Sequence, residues 1–432
     1  MGHSEQYDGG TSTLKHTAAC TLHSAVVLLN ESRSAAPNIP AVSSIVALVQ
    51  LLALVAKPGQ QLLLVARGRV SEALGAPSFS ASVGAALGVL RVFNVELASL
   101  QAFAAISAPD VGLVDRLGHI VSPGCAGDVE REFALSHTAR FVPRVCRATT
   151  TSNALAILAT NTSGPWLGSS RGTYFVTAGR GGNALREAML KTTWSNASSR
   201  TSMMLAAPNG LPPSSGHGLH RAGLSSGSSS MASVVICSSQ EPADLLTLLR
   251  GRCDVRGVLH AAGLQRDVLL RGVTAAQASG QFGANAGTAH QLHAMTTTCH
   301  NTALVTISCL SAILGSVGQA NCVAASGQLN ALSLYRLAHA AASYHFQTPR
   351  TADAHGRCAK PKTLLEAPNL SSLSFDELAE LLNSAIVGPT ISHLLGGPSL
   401  MCLASAAMVS TSMSKITEEA SRLPTSVQAE HR

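Results

Sequence analysis

The sequence predicts an α/β protein: a doubly wound parallel sheet preceded by a smaller, truncated α/β unit. Three observations predict this class. Short aliphatic runs alternate with helix-like stretches along most of the chain, a pattern that implies parallel strands with right-handed crossovers and both faces covered. One run, TYFVT (173–177), stops at a glycine cluster, AGRGG, and gives way to helix-like NALREAML. The chain has 432 residues, 46% of them hydrophobic, with a mean hydropathy of +0.24, enough to fill two cores.

Residues 1 to about 40 are polar and small with no sustained period, and read as a linker. The first unit, 41–148, opens with an apolar helix-like stretch from Ala41. It continues with the strand QLLLVARG (61–68), closed by glycine, and a second helix-like segment, SVGAALGVLRVFNVELASL. The second unit, 165–395, places strands at TYFVT, SMMLAA (202–207), SVVIC (233–237), GVLHA (257–261) and ALVTIS (303–308). Helix-like segments separate most of them: EPADLLTLLR, TAAQASGQFGANAGTAHQLHAM and ANCVAASGQLNALSLYRLAHAAA. Residues 208–231 are rich in Gly, Ser and Pro and support no crossover helix. After Ser343 the run YHFQTPRTADAHGRCAKPK reads as loop, and LSFDELAELLNSAIV (373–387) as an amphipathic helix. Residues 413–432 read as a disordered tail.

Composition excludes several function classes. The formal charge of +7 is spread over a chain with 12% charged and 3% aromatic residues, without the basic clusters and stacking rings of a nucleic-acid binder. The longest apolar run, Ala41 to Ala56, is interrupted by serines and a glutamine and falls short of the roughly 20 residues of a spanning helix. Ten cysteines occur singly, without CxxC or paired Cys/His spacing, so neither a metal site nor a disulfide framework is indicated. The N-terminus has no basic start followed by an apolar block. An intracellular, cytoplasmic protein in a reducing compartment is expected.

A strand, a glycine turn and a helix form the arrangement that binds dinucleotides. Backbone N–H groups and the helix N-terminus face the pyrophosphate, and glycine is needed where a side chain would block the approach. Here the stretch is Thr177-Ala178-Gly179-Arg180-Gly181-Gly182-Asn183-Ala184. Glycines at a strand-to-helix turn also occur without a ligand, and both alternatives stay open on these residues alone.

Three stretches together point further: TYFVTAGRGGNALREAML, GVLHAAGLQRDVLL and LVTISCLSAILGSVGQANCVAASGQLNALSLYRLA. They resemble the signature stretches of the ketoreductase domain of polyketide synthases and animal-type fatty acid synthases, a branch of the short-chain dehydrogenases. The first half agrees: QLLLVARG and GAALGVLRVFNVELASL, with Gly88, Arg91 and Glu96, resemble that domain's structural subdomain. The resemblance covers about residues 41–395 and implies a Rossmann-like fold of the short-chain dehydrogenase type. It implies hydride transfer from NADPH to the β-carbonyl of an acyl chain on acyl carrier protein, within a synthase of several domains. A tyrosine gives a proton to the forming alkoxide, a serine holds the carbonyl oxygen, and a lysine and an asparagine complete the proton path.

Carried over residue by residue, the tyrosine position is Cys322 and the serine position, thirteen residues earlier, is Cys309. The asparagine position is Ser326 and the lysine position is Asn285. All four are substituted. A thiol is a weaker donor than a phenol and much shorter, so Cys322 does not reach the same oxygen from the same backbone. Ser308 and Ser311 flank the lost serine but are turned elsewhere by a shift of one or two residues. On the cofactor side the resemblance assigns Ala178, Gly179, Gly181, Gly182 and Ala184 to the pyrophosphate turn, where Ala178 and Ala184 replace two of the three family glycines. Pro208 and Asn209 stand where arginines meet the 2′-phosphate, and Ser238 where an aspartate meets the adenine. HAAG, with Ala261 and Gly263, lines the nicotinamide end. The LDD-like stretch that distinguishes stereochemical types reads LQRD and keeps only Asp267.

The substitutions leave three readings. The chain is a ketoreductase-like scaffold with little or no reductase activity; or it reduces β-ketoacyl groups with substitute donors, for which His290, His293 and His300 lie near in sequence; or Cys309 and Cys322 form a thiol site of a new kind.

Overall fold

A computed structural model describes residues 4–7, 24–29, 39–55, 61–71, 76–78, 80–107, 131–135, 140–141, 172–178, 201–207, 231–236, 255–261, 267–298, 302–339, 341, 343–348, 351–352, 373–374 and 400–401. The expected helices at NALREAML and EPADLLTLLR, the 208–230 crossover and the 413–432 tail lie outside these residues. So does all of 373–387 beyond Leu373 and Ser374.

The first sheet has the order β1 (Ser4–Tyr7), β2 (Ser24–Leu29), β3 (Gln61–Arg67), β6 (Gln101–Ser107), β7 (Glu132–Leu135), β8 (Arg140–Phe141). All its pairs are parallel except β7 with β8. A short antiparallel pair, β4 (Arg69–Ser71) and β5 (Ala76–Ser78), follows β3. Two of these strands, β1 and β2, lie in the stretch expected to be linker. The run SAVVLL is only six residues long and is set in polar sequence, so its aliphatic character is diluted in any longer window.

The second sheet runs β11 (Met231–Ile236), β10 (Thr201–Ala207), β9 (Gly172–Ala178), β12 (Val255–Ala261), β13 (Ala303–Cys309), β14 (Ser343–Thr348), β17 (Leu400–Met401), all parallel. In sequence order this is 3-2-1-4-5-6-7, so the direction of winding reverses between β9 and β12. Ligands of doubly wound sheets bind at the carboxyl edge at such a switch point. β14 corrects the expectation of loop after Ser343. Its inward residues His345 and Gln347 are polar, so no aliphatic run announces it, yet both are buried. Leu373–Ser374 form β16, paired with β15 (Thr351–Ala352), rather than the start of a helix.

The described helices are α1 (Ile39–Val55), α2 (Ala81–Glu96), α3 (Ala275–Phe282), α4 (Thr288–Thr298), α5 (Ser311–Leu314) and α6 (Ala320–Ala338). Ser80 caps α2 by accepting from the Val83 N–H, and Thr274 with Gln277 forms a capping box on α3. A single π-turn, Gly283–Gly287, joins α3 to α4. None of the described helices is long and apolar enough to cross a membrane.

One core joins the two units. It contains Val42 and Val49 of α1, Val83 and Phe93 of α2, Phe282 of α3, and Val323 and Ala324 of α6. α2 and α6 cross backbone to backbone: a Cβ on Gly84 would lie 2.3 Å from the Gly327 carbonyl oxygen, and one on Gly88 2.6 Å from that of Val323. Beyond the crossing, Arg91 forms a two-point ion pair with Glu132, both contacts at 2.6 Å, and donates to the Ala312 carbonyl. The Glu96 carboxylate accepts from the Gly318 N–H at 2.8 Å and the Leu270 N–H at 2.7 Å. The residues that carried the first unit's resemblance, Gly88, Arg91 and Glu96, are therefore those that fasten it to the second.

Candidate functional site

The carboxyl edge of the second sheet is built from strand ends. Ala178 closes β9 in register with Ala261 of β12, on either side of the switch point. Gly179, Gly181, Gly182, Ala184, Ser238 and Gly263 lie outside the described residues, as do Pro208, Asn209 and His300.

β13 ends at Cys309, and the chain returns through α5 and a turn held by Gly315 and Gly318, both at φ 75°. Glu96 clamps the Gly318 N–H, and the Gly318 carbonyl accepts from the Val268 N–H at 2.7 Å. This fixes the start of α6. Cys322 lies in its first turn and Ser326 one turn on, at the i, i+4 spacing that puts both on one face. The Cys309 sulfur is 3.9 Å from the Cys322 sulfur and 3.3 Å from the Ser326 hydroxyl. Three of the four positions named from sequence are thus one cluster, with both cysteines partly exposed. Hydrogen bonding to Cys322 draws the Cys309 thiol down from 9.0 to about 6; Ser326, the Ala312 N–H and Ser311 assist, and burial opposes.

Asn285 belongs to a different network. It sits buried in the π-turn, and its carbonyl accepts from His260 Nε2 at 3.0 Å. A carbonyl only accepts, so Nε2 carries the proton and Nδ1 takes the Thr177 hydroxyl at 2.8 Å. Burial pushes His260 down to about 4, with the Asn285 hydrogen bonds opposing. This neutral histidine ties the ends of β9 and β12 to the π-turn.

Of the neighbouring serines, Ser308 is engaged elsewhere, while Ser311 lies between Cys309 and Gln319. Ser308 bonds His345 Nε2 at 2.9 Å, while Thr306 bonds its Nδ1 at 2.6 Å. Burial lowers His345 to about 3. Ser311 donates to Gln319 at 3.3 Å. Of the histidines named as substitute donors, His293 accepts from Arg336 at 3.0 Å and meets Tyr335 edge-on at 5.8 Å. Burial, then Arg336, His290 and His339, lowers it to about 4. Arg336 also donates to Thr296 at 2.8 Å. The sequence marked Thr177 only as part of the glycine stretch and gave no role to Gln319 or His345. The polar pattern of SYHFQT, beside the hydroxyls of Thr306 and Ser308 two apart on one face of ALVTIS, was the available signal for His345.

Comparison with known proteins agrees with this fold. Residues 172–351 match the family model of the KR domain. The first ketoreductase of the tylosin PKS aligns with a TM-score of 0.67 at 17% identity, over 90% of this chain and 81% of that one. A structure of A-type ketoreductases from modular polyketide synthase aligns with a TM-score of 0.68 at 19% identity, over 89% and 78%. Polyketide synthase GfsB of Streptomyces halstedii is 36% identical over 83 residues, which are 19% of this chain and 2% of that protein. The chain spans 2% of the length of the curated relatives it matches.

Proposed function

With residues 172–351 matching the KR domain and the chain folded as polyketide-synthase ketoreductases are, we propose that it is a ketoreductase-type domain of a polyketide synthase whose reductase chemistry is impaired. It serves its synthase as a scaffold. The family reaction would be NADPH-dependent reduction of a β-ketoacyl thioester on acyl carrier protein, with that carrier and the other synthase domains as partners.

The observation that supports impairment is the Cys309–Cys322–Ser326 cluster. Reduction builds negative charge on the carbonyl oxygen, and the family meets it with a serine hydroxyl and a tyrosine proton. A Cys309 sulfur drawn toward thiolate places negative charge where a donor is needed, which raises the barrier instead of lowering it. Cys322 turns its short side chain to Cys309, leaving no acid with a phenol's reach. Asn285 is neutral and its backbone is committed to His260, so it supplies no cation to draw down an acid's pKa.

The dinucleotide fits the edge poorly. Ala178 and Ala184 stand in the sequence where the family's turn carries two of its three glycines, and an added methyl there opposes the approach of the pyrophosphate. The cofactor, where bound, supplies the hydride. Titrating the full chain with NADPH and following nicotinamide fluorescence is expected to give no saturation up to millimolar cofactor. Saturation in the micromolar range would overturn the weakened-cofactor part of this reading.

A further inference from the structure

We propose that Cys309 and Cys322 form a reactive dithiol that exchanges with low-molecular-weight disulfides, Cys309 taking up the small thiol and Cys322 resolving it into a Cys309–Cys322 disulfide. The proposal goes beyond the reductase reading and holds whether or not reduction occurs.

The sulfurs approach to 3.9 Å from two different elements, the end of β13 and the first turn of α6. A disulfide bond is about 2 Å long, so closing it moves the sulfurs together by roughly that distance. The Ser326 hydroxyl, 3.3 Å from Cys309, is placed to donate to its thiolate. Both cysteines are partly exposed, at the carboxyl edge of the sheet, so a small disulfide reaches them. The lowered Cys309 thiol makes it the attacking group. The turn that presents Cys322 is pinned by Glu96 and by the positive-φ glycines, which keeps the two sulfurs together.

The exchange balances without another oxidant. The Cys309 thiol releases its proton, and the thiolate attacks one sulfur of RSSR, forming Cys309–S–S–R and expelling RS⁻, which takes up a proton to become RSH. Cys322 loses its proton and attacks the Cys309 sulfur, expelling the second RS⁻, which is protonated in turn. Two protein thiols are oxidised to one disulfide, and RSSR is reduced to two RSH.

The test treats the purified, reduced full chain with glutathione disulfide in the absence of NADPH, quenches with acid, and maps disulfides by peptide mass spectrometry. The expected first product is the Cys309–Cys322 link, with those two thiols lost together before the other eight. In Cys322→Ser the expected product is glutathione retained on Cys309. Modification of other cysteines without a 309–322 link would overturn the proposal. Mapping the unsubstituted chain decides this even where the variant fails to fold. Because no cofactor is present, failure here is distinct from failure of the reductase reading.

Discussion

Gly84→Ala is expected to destabilise the protein by about 3 kcal/mol or more, at the upper end of what overpacking costs. The new Cβ would stand 2.3 Å from the Gly327 carbonyl oxygen and 2.7 Å from the Ala331 Cβ. The nearest obstacle is backbone, so no rotamer change relieves it, and α2 and α6 must separate. Separation opens the shared core at Val83, Leu87, Val323 and Ala324. It also draws Arg91 from Ala312 and Glu96 from Gly318. Gly327→Ala meets the reciprocal obstacle, the Gly84 oxygen at 2.3 Å. Gly280→Ala on α3 is the control: nothing lies within 4 Å of the added Cβ, and the exchange is expected to stabilise by up to ~1 kcal/mol. Urea unfolding of the three variants checks the pair of signs. A neutral Gly84→Ala would mean that the helices do not cross as described.

Mild acid is expected to destabilise the fold steeply. His260, His293 and His345 are buried and lowered to about 4, about 4 and about 3 from 6.5. Each is a base whose folded pKa is depressed, so the unfolded chain takes up protons first as pH falls. The stability they contribute is present above about 6.5 and is lost between 6.5 and about 4. Each such histidine costs about 1.4 kcal/mol per pH unit within that window. Two to three protons taken up on unfolding therefore mean about 3–4 kcal/mol per pH unit near pH 5. The urea midpoint measured from pH 7 to pH 4.5 reads the slope, and His260→Asn is expected to reduce it by about one proton. A flat stability between pH 6.5 and pH 5 would contradict the burial of these rings as neutral imidazoles.

Much of the fold was legible in the sequence because its strands are aliphatic and its helices apolar. QLLLVAR, TYFVT, SMMLAA, VVI, GVLHA and ALVTIS all form strands close to where their patterns end. Among the strands not placed from the sequence are β1, β2, β6, β7 and β14. β14 buries His345 and Gln347, and only the hydroxyls of Thr306 and Ser308 across the sheet make a histidine acceptable there. β1 and β2 draw their identity from a neighbouring sheet edge. The glycines of the α2–α6 crossing read as helix defects until the partner helix is known.

The site was legible through the order and spacing of its motifs. The register that assigned Cys309, Cys322 and Ser326 to three neighbouring roles names residues of which Cys322 and Ser326 both meet the Cys309 sulfur. It did not disclose that Asn285 would face His260 through a π-turn, since one inserted helical residue leaves no mark in composition. The reading of Cys309 and Cys322 as a thiol site placed the two sulfurs together but gave no distance, because a thirteen-residue separation does not fix one across a strand-to-helix turn.

The central proposal is that this ketoreductase-like fold holds a thiol pair where the family places its proton-transfer groups, and does not reduce. The most direct measurement is the loss of nicotinamide absorbance when the full chain is mixed with millimolar NADPH and a β-ketoacyl thioester. The account predicts no oxidation above the rate without protein. Turnover that disappears in Cys322→Ser would contradict it, and would make the thiol a working proton donor.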